Sequence, residues 1–344
     1  IECRTTPSAI EPLSAPELPY LLEELGLITL GEALHPGLRI LELTSRNVTF
    51  RVCRAQGGGF FIKQPRHIGA ATIAKIHGEA AVTGHLSGAG LEGLPALLAV
   101  DSRCAALVYE LVEGRHLGLG EGDPAHHFRQ LGATLARLHR INAGAELPVS
   151  DLPVLARPEG WREMGASSPV ALAVLARDRA IREGFDWLAD SWRGDAIIHG
   201  DIKPSNVMVG ADGAIRLIDW ELGGLGDPRW DLGMAAGYLL SEAIYAHILR
   251  DDERPLSDCL SSAREMTAVL LDGYRAQASG KAMEAISASG LGRATALAIA
   301  QFVLALGRGA QRPTQAMIRL TQIALNLLAR PADGLRTLVG EWPA

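Results

Sequence analysis

The sequence lacks the cysteine patterns that would indicate a disulfide framework or a zinc site. Its only cysteines are Cys3, Cys53, Cys104 and Cys259. None of them forms a CxxC pair or stands at metal-ligand spacing from a histidine. Of the 10 histidines, only His199 falls in a motif, and we expect the others to be packed or solvated. Scattered, unpaired cysteines are typical of a reducing compartment, so we expect a cytoplasmic protein.

The sequence also lacks a long hydrophobic run and an excess of positive charge. Its longest apolar stretch, Ala294 to Leu306, includes Thr295 and Gln301 and is too short for a transmembrane helix. With a net charge of −6 and a pI near 6.0, the chain does not have the basic character of nucleic-acid-binding proteins. We therefore expect neither a membrane nor a nucleic acid as partner. The composition that remains, 48% hydrophobic and 21% charged, is typical of a globular protein with a sizeable core.

The order of the predicted elements indicates an α+β fold of two lobes. An N-terminal extension (1–38) precedes a small β-rich lobe (39–113), and a larger helical lobe (114–344) follows a hinge near Glu113 and Gly114. In the first 113 residues we predict helices at 18–25 and 69–86 and strands at 39–44, 48–54, 60–64, 96–100 and 105–112. Beyond residue 124 we predict long helices interrupted only by two short strands, 207–209 and 215–218.

The segment HGDIKPSN at 199–206, followed by IDWE at 218–221, combines residues suited to phosphoryl transfer. This reaction needs a positioned acceptor hydroxyl and cations that neutralise charge on the phosphate oxygens. Asp201, on a loop, can receive the proton of the hydroxyl. Asn206 and Asp219 offer the hard oxygen atoms that Mg²⁺ binds in proteins. These residues therefore predict a phosphotransferase that uses ATP and Mg²⁺, with Asp201 as its catalytic base.

The longer pattern HGDIKPSN…IDWELGGLGDPRWDLG closely resembles the aminoglycoside phosphotransferase/choline kinase family of the protein-kinase-like superfamily. The resemblance covers roughly residues 40 to 330, with its specific motifs between His199 and Asp231. It implies a two-lobed, protein-kinase-like fold. By resemblance, Asp231 hydrogen-bonds the backbone of the catalytic loop, and His199 supports that loop without contacting the substrate. A helix N-cap is a competing account of Asp231, because aspartate is favoured at that position.

The resemblance also implies a lysine and a glutamate in the nucleotide site. Lys63, on the predicted strand 60–64, matches the lysine that holds the α- and β-phosphates. The alternative is an exposed strand lysine. Glu79 is the only acidic residue between Gly69 and Leu86, so it is the only candidate there for the ion pair that orients Lys63. A surface pair of Glu79 with Lys75 is the alternative.

The resemblance assigns two further segments to the nucleotide. Ser45 and Asn47 lie in the hairpin where the family places its nucleotide loop, and both can donate hydrogen bonds although the loop has no glycine. The backbone of Glu110 and Val112 would face the adenine, with Gly114 allowing the lobes to flex. An apolar core strand is the alternative for this second segment.

Lys203 occupies the position at which protein Ser/Thr kinases have a lysine that reaches the γ-phosphate. We count it as a catalytic residue that provides positive charge in the transition state. A solvated loop lysine is the alternative.

The phosphate acceptor is the least determined part of the prediction. Residues 233–344 contain ten Asp and Glu against eleven Lys and Arg, whereas a pocket for a polycationic aminoglycoside should be rich in carboxylates. The balance favours a neutral small-molecule hydroxyl or a Ser/Thr side chain of a peptide, as in lanthipeptide-type modification. An antibiotic kinase and a non-catalytic nucleotide-binding subunit remain alternatives. The sequence indicates neither ATP over GTP nor an oligomeric state.

Overall fold

The computed structural model describes residues 12–34, 37–43, 47–118, 122–144, 146–249, 255–278, 286–340 and 342. The strands are β1 (Leu38–Glu42), β2 (Asn47–Arg54), β3 (Gly59–Pro65), β4 (Leu97–Asp101), β5 (Ala106–Glu110), β6 (Gly114–His116), β7 (Ala196–Ile198), β8 (Val207–Gly210), β9 (Ile215–Leu217) and β10 (Gly224–Gly226). The helices are α1 (Leu18–Glu24), α2 (Leu30–Leu34), α3 (Ala70–Gly88), α4 (Pro124–Arg140), α5 (Gly160–Ser167), α6 (Pro169–Leu175), α7 (Arg179–Asp190), α8 (Pro228–Leu249), α9 (Leu256–Gln277), α10 (Ala288–Leu306), α11 (Gln315–Ala329) and α12 (Pro331–Val339).

The chain divides into two compact units. The first comprises Ile1–Arg115 together with Arg216–Glu221, and the second comprises His116–Ile215 together with Leu222–Ala344. The short segment 216–221 thus belongs to the first unit although it follows most of the second in sequence. This return of the chain is what brings Asp219 into the same unit as Lys63.

The first unit contains a five-stranded antiparallel sheet in the order β1-β2-β3-β5-β4. Successive side chains of a strand point to opposite faces, and β3 shows this alternation directly. Phe60 and Ile62 belong to a core cluster with Leu18 and Leu22 of α1. Phe61 packs instead in a cluster with Ile76 of α3. Helices therefore cover both faces of the sheet, and Lys63 is on the face of β3 that α3 covers.

The described part of the predicted N-terminal extension packs into the first unit. Besides the apolar contacts of α1, the backbone N–H of Leu13 donates to Oε1 of Gln64 at 2.8 Å. Gln64 is fully buried, and its amide also donates to the carbonyl of Cys104. Residues 12–34 are therefore a structural part of this unit.

The second unit is mainly helical, and its core contains the pair α8 and α10. A Cβ atom on Gly233 would lie 2.7 Å from Ala294, and one on Gly237 would lie 2.8 Å from the Cβ of Ala298. Small residues on both helices thus allow close backbone approach. Both helices are long and apolar enough to cross a membrane. Within the fold, however, the most apolar 18-residue stretch is 67% buried in α8 and 72% buried in α10. That burial is typical of core helices.

Several short elements of the second unit differ from the prediction. The expectation of only two strands beyond residue 124 is wrong, because β7 and β10 also form there and pair with each other. Helices α5, α6 and α12 were also not predicted. Strands of three residues are too short to show a period of two, and the short helices carry little periodic signal. Helix α8 begins at Pro228, where proline at the first position favours initiation.

Candidate active site

The catalytic-loop candidate, residues 199–203, follows β7 in the second unit and leads into a short 3-10 helix, Pro204–Asn206. Gly200 has a φ of +80°, and a Cβ there would lie 2.5 Å from the carbonyl oxygen of Leu222. Any side chain would therefore clash with the backbone and strain the conformation. This close approach explains why the loop has a glycine between His199 and Asp201.

Asp231 anchors this loop from within α8. Its carboxylate is fully buried and accepts the backbone N–H of His199 and that of Gly200, both at 2.8 Å. The indole of Trp230 donates to the carbonyl of Gly200 at 3.1 Å. Asp231 lies inside α8, so the N-cap account is wrong. Its position is the one that the resemblance implied, a carboxylate bound to the loop backbone.

The Asp201 carboxylate is held by two neighbours in sequence. Nζ of Lys203 donates to Oδ2 at 2.6 Å, and Nδ2 of Asn206 donates to the same oxygen at 3.0 Å. Nδ2 of Asn206 also donates to the backbone carbonyl of Asp201 at 3.0 Å. Because both side-chain donors bind Oδ2, Oδ1 is the oxygen suited to receive a hydroxyl proton. Lys203 is therefore a direct partner of the candidate base, and not a fully solvated loop lysine.

The backbone near Asp201 is fixed by His199. The ring is fully buried, and Nδ1 lies 3.3 Å from the backbone nitrogen of Asp201. Since that nitrogen is a donor, Nδ1 accepts the hydrogen bond. His199 thus supports the loop through its ring while its backbone binds Asp231.

The first unit contains a buried ion pair between Lys63 and Glu79. Nζ of Lys63 lies 3.0 Å from Oε2 of Glu79, and the two side chains are 5% and 3% exposed. The hydroxyl of Tyr109 donates to Oε1 of Glu79 at 3.1 Å, so both carboxylate oxygens are bound. Glu79 lies on the face of α3 that covers the sheet, and this brings its carboxylate to Lys63. Neither alternative, an exposed lysine or a surface carboxylate, describes these side chains.

Two more carboxylates surround the Lys63 ammonium. Nζ lies 2.6 Å from Oδ1 of Asp219 and 3.1 Å from Oε2 of Glu221. Burial alone lowers the pKa of Lys63, but Glu79, Asp219 and Glu221 outweigh it and raise this pKa above its ordinary value. Lys63 is therefore a permanent cation. Three carboxylates around one ammonium leave an excess of negative charge, which suits the binding of a divalent cation.

The donor atoms at Asp219 and Asn206 fit the chemistry of Mg²⁺. Asp219 has a φ of +67°, a left-handed conformation that costs a non-glycine residue about 1–2 kcal/mol and is often found at functional sites. Asn206 directs its amide nitrogen to Asp201, which leaves its carbonyl oxygen to bind a cation. Within the described residues, no group of three or more His, Cys, Asp or Glu side chains could by itself hold a metal. Mg²⁺ commonly takes only one or two carboxylates from protein, so a single carboxylate such as that of Asp219 is enough for it.

The remaining predicted nucleotide residues have different outcomes. Ser45 lies outside the described residues. Asn47 begins β2, and its Nδ2 donates to Oε2 of Glu221 at 2.8 Å. The N–H of Glu110 donates to the carbonyl of Ala96 at 2.8 Å, so this group is used by the sheet. The adenine-facing roles of Glu110 and Val112 stay predictions, with Val112 in the segment that follows β5.

Sequence reasoning missed three residues in the side-chain networks around the predicted site residues. Glu221 stands two positions after Asp219 in the quoted motif, and that spacing was the only available signal. His139, on α4, contacts the carboxylate of Asp231 with its Nε2, and Tyr274, on α9, contacts Nδ1 of the same ring. Their positions are far apart in sequence, so no local pattern connects them.

Comparison with known proteins assigns the class. A family model described as the phosphotransferase enzyme family, APH, matches residues 38–263, which is more than half of the chain. The protein therefore belongs to this family and is an enzyme that transfers phosphate to hydroxyl-bearing substrates. Nucleotide binding follows from membership of the family. The prediction of a kinase is confirmed, and the alternative of a non-catalytic subunit is not supported.

Solved structures show the same fold. The choline kinase LicA from Streptococcus pneumoniae has a TM-score of 0.56 at 16% identity, covering 91% of this chain and 97% of that one. The ethanolamine kinase of Plasmodium vivax has a TM-score of 0.59 at 12% identity, covering 94% and 89%. A choline kinase from Cryptosporidium parvum has a TM-score of 0.57 at 14% identity, covering 94% and 99%. The predicted α+β, protein-kinase-like fold is confirmed. No curated protein matches the sequence.

Proposed function

We propose that this enzyme transfers the γ-phosphate of ATP to a hydroxyl group of a small molecule, with Mg²⁺ as the required metal ion. The observation that carries this proposal is the way in which the carboxylate of Asp201 is held by its neighbours. Its Oδ2 is fixed by Lys203 at 2.6 Å and by Asn206 at 3.0 Å, and neither of these bonds uses Oδ1. A carboxylate held in one orientation can receive the hydroxyl proton as the oxygen attacks phosphorus.

Each charged residue has a distinct part in this reaction. Lys63, oriented by Glu79, provides a permanent positive charge for phosphate oxygens. Asn206 and Asp219 would hold Mg²⁺, which neutralises negative charge on the phosphates when it is bound. These two residues belong to different units, and the proposal for each rests on its own contacts. Lys203 restrains Asp201 and adds positive charge beside the acceptor oxygen.

Several findings support a nucleotide as donor and a small alcohol as acceptor. LicA was solved in complex with AMP, in a structure with a TM-score of 0.51 and 16% identity to this chain. The relatives named above act on choline and ethanolamine, which are small amino alcohols. The acceptor of this enzyme is therefore sought first among small hydroxylated metabolites, with Ser/Thr peptides as a second group.

We also propose a cytoplasmic location. The described cysteines, Cys53, Cys104 and Cys259, form no disulfide. Cysteines that form no disulfide, and a nucleotide substrate, both suit a reducing compartment that contains ATP.

The proposed reaction is tested by an acceptor screen with γ-labelled ATP and Mg²⁺. The panel contains neutral sugars and polyols, amino alcohols, aminoglycosides and Ser/Thr peptides, with GTP as an alternative donor. We expect label to appear on a small-molecule hydroxyl with the wild-type protein and not with Asp201→Asn. Transfer that is equal in the two proteins would remove Asp201 from its role. Label found only on peptides would change the substrate class.

A further inference from the structure

The carboxylate of Glu221 occupies the two donors to which the phosphates of a nucleotide are expected to bind. Oε2 of Glu221 accepts from Nδ2 of Asn47 at 2.8 Å and lies 3.1 Å from Nζ of Lys63. Asn47 and Lys63 come from the paired strands β2 and β3, so their spacing is fixed by the sheet. A carboxylate oxygen between an amide and an ammonium has the same contacts that a phosphate oxygen would make there.

The Lys63 ammonium has no free donor in this arrangement. A lysine has three N–H groups, and here three carboxylates, Glu79, Asp219 and Glu221, lie between 2.6 and 3.1 Å from Nζ. A phosphate oxygen can therefore bind Lys63 only if one of the carboxylates leaves. The question is which of the three gives way.

Glu221 is the carboxylate whose removal disturbs the structure least. Glu79 is 3% exposed and is also held by Tyr109, so moving it would break a buried network. Asp219 makes the shortest contact, 2.6 Å, and is the proposed metal ligand. Asp219 is the more exposed of these two carboxylates, at 36% against 26%, but Glu221 makes the longest of the three contacts with Nζ. Glu221 is therefore the carboxylate that Lys63 holds least closely, and its exposed part lets it return to water. Its other partner, Asn47, would exchange one anion for another.

We propose that Glu221 is an internal competitor of the nucleotide, which holds Lys63 and Asn47 in the free enzyme and is displaced from both by a phosphate group. This inference rests on the proposed function, because the displacing ligand is a nucleotide. In the free enzyme Glu221 provides the third partner of the buried Lys63 ammonium and a partner for the Asn47 amide. Its displacement is part of the cost of binding, so the charge of Glu221 weakens the affinity for nucleotide.

Metal-free nucleotide binding separates this role from that of a metal ligand. Titration calorimetry with ADP in EDTA would compare the wild type, Glu221→Gln, and Glu23→Gln, a matched loss of charge on an exposed face of α1. The neutral amide keeps the shape of the side chain but competes poorly with phosphate. We expect Glu221→Gln to bind ADP about tenfold more tightly, which corresponds to about 1.4 kcal/mol. Glu23→Gln should match the wild type.

The titration, repeated with Mg²⁺-ATP, also shows what would contradict the inference and whether the proposed function fails with it. Unchanged or weaker metal-free binding by Glu221→Gln overturns it, and if only Mg²⁺-dependent binding is lost, Glu221 is a metal ligand instead. A wild-type protein that binds Mg²⁺-ATP while the variant shows no tightening leaves the proposed function intact. A wild type that binds no nucleotide under any condition removes both proposals.

A measurement on the unmodified protein tests the same displacement if the variant does not fold. The side-chain amide of Asn47 can be followed by ¹⁵N NMR and assigned by its absence in Asn47→Ala. Saturating ADP in EDTA should shift this resonance, because its acceptor changes from a carboxylate to a phosphate. A resonance that stays in place at saturation shows that Glu221 has not left and overturns the inference.

Discussion

The hydroxyl of Tyr274 lies 3.0 Å from Nδ1 of His139, inside the second unit. The other ring nitrogen, Nε2, lies 3.2 Å from Oδ2 of Asp231, the carboxylate that binds the backbone of the catalytic loop. Burial, with a smaller contribution from the charge of Asp231, raises the pKa of Tyr274 above its ordinary range, so the phenol keeps its proton. Tyr274 therefore donates to Nδ1, and His139 donates from Nε2 to Asp231. The tyrosine selects the tautomer that supports the loop.

We expect Tyr274→Phe to lower kcat about fivefold with little change in the KM for ATP. Losing one neutral hydrogen bond costs about 1 kcal/mol, and the free Nδ1 can then take the proton that Asp231 needs at Nε2. The ¹⁵N shifts of the His139 ring measure the tautomer directly. Trp342→Phe, which removes another buried donor, controls for general loosening of the fold, because its indole binds Ile286 and not the network of Asp231. An unchanged tautomer and unchanged kcat would show that Tyr274 only fills space.

Replacement of the base should separate binding from turnover. We expect Asp201→Asn to keep nucleotide affinity and to lower kcat by about 10²- to 10⁴-fold, the usual effect of losing a general base. Asp186→Asn, an exposed change on α7, serves as the control for charge. Single-turnover transfer of labelled phosphate is the measurement. Near-normal turnover in a folded Asp201→Asn protein would contradict the assignment.

The dependence of binding on Mg²⁺ should require Asp219. Removing its carboxylate takes an anionic ligand from the divalent ion and also one partner from Lys63. We expect Asp219→Ala to lose most of the enhancement of ATP binding by Mg²⁺, while metal-free ATP binds at least as tightly as in the parent. Titration calorimetry with and without Mg²⁺ measures the affinity for ATP in each case. Equal Mg²⁺ enhancement in the two proteins would exclude Asp219 as a ligand.

The predictable parts of this molecule are those encoded by local pattern. Strand β2 alternates between apolar and polar residues. The pleat of the neighbouring β3 places Lys63 on the face covered by α3. Glu79 followed because no other acid lies on that helix. The fixed order of the residues from His199 to Asp231 identified the catalytic loop without reference to any fold.

The unpredicted parts depend on contacts between distant positions. Glu221 reaches Lys63 and Asn47 only because Asp219 adopts a left-handed conformation and segment 216–221 returns to the first unit. His139 and Tyr274 are separated by 135 positions, and only the packing of α4 on α9 brings them together. Strands β7 and β10 have three residues each, too few for a periodic signal.

The crossing of α4 and α9 should tolerate no added methyl group. A Cβ on Gly132 would overlap the carbonyl oxygen of Leu270, and one on Gly273 would overlap that of Arg129. We expect Gly132→Ala to lower the free energy of unfolding by about 2–3 kcal/mol, as overpacked sites do. Gly84→Ala is the matched control, because it lies in α3 with no atom within 4 Å of the new Cβ. Gly84→Ala should raise the free energy of unfolding by about 0.5–1 kcal/mol. Denaturant titration compares the two variants. If Gly132→Ala left the free energy of unfolding unchanged, the two helices could move apart without cost.

The last prediction concerns the acceptor. Two of the acids in residues 233–344 are already paired on their own helices, Asp272 with Arg275 and Asp333 with Arg336. Where carboxylates are scarce, a polycation would bury ammonium groups without partners, at a cost of several kcal/mol each.

We accordingly expect kanamycin-like aminoglycosides to be neither phosphorylated nor stabilising at sub-millimolar concentration. A ligand at about 100 times its Kd stabilises the fold by about 2.7 kcal/mol, which gives a clear melting shift. With an ATP analogue bound, neutral polyols or Ser/Thr peptides should produce a larger shift than any aminoglycoside. Melting curves and phosphate transfer are measured on the same panel. A strong aminoglycoside-induced shift, together with transfer to a sugar hydroxyl, would show that the remaining carboxylates converge on the acceptor.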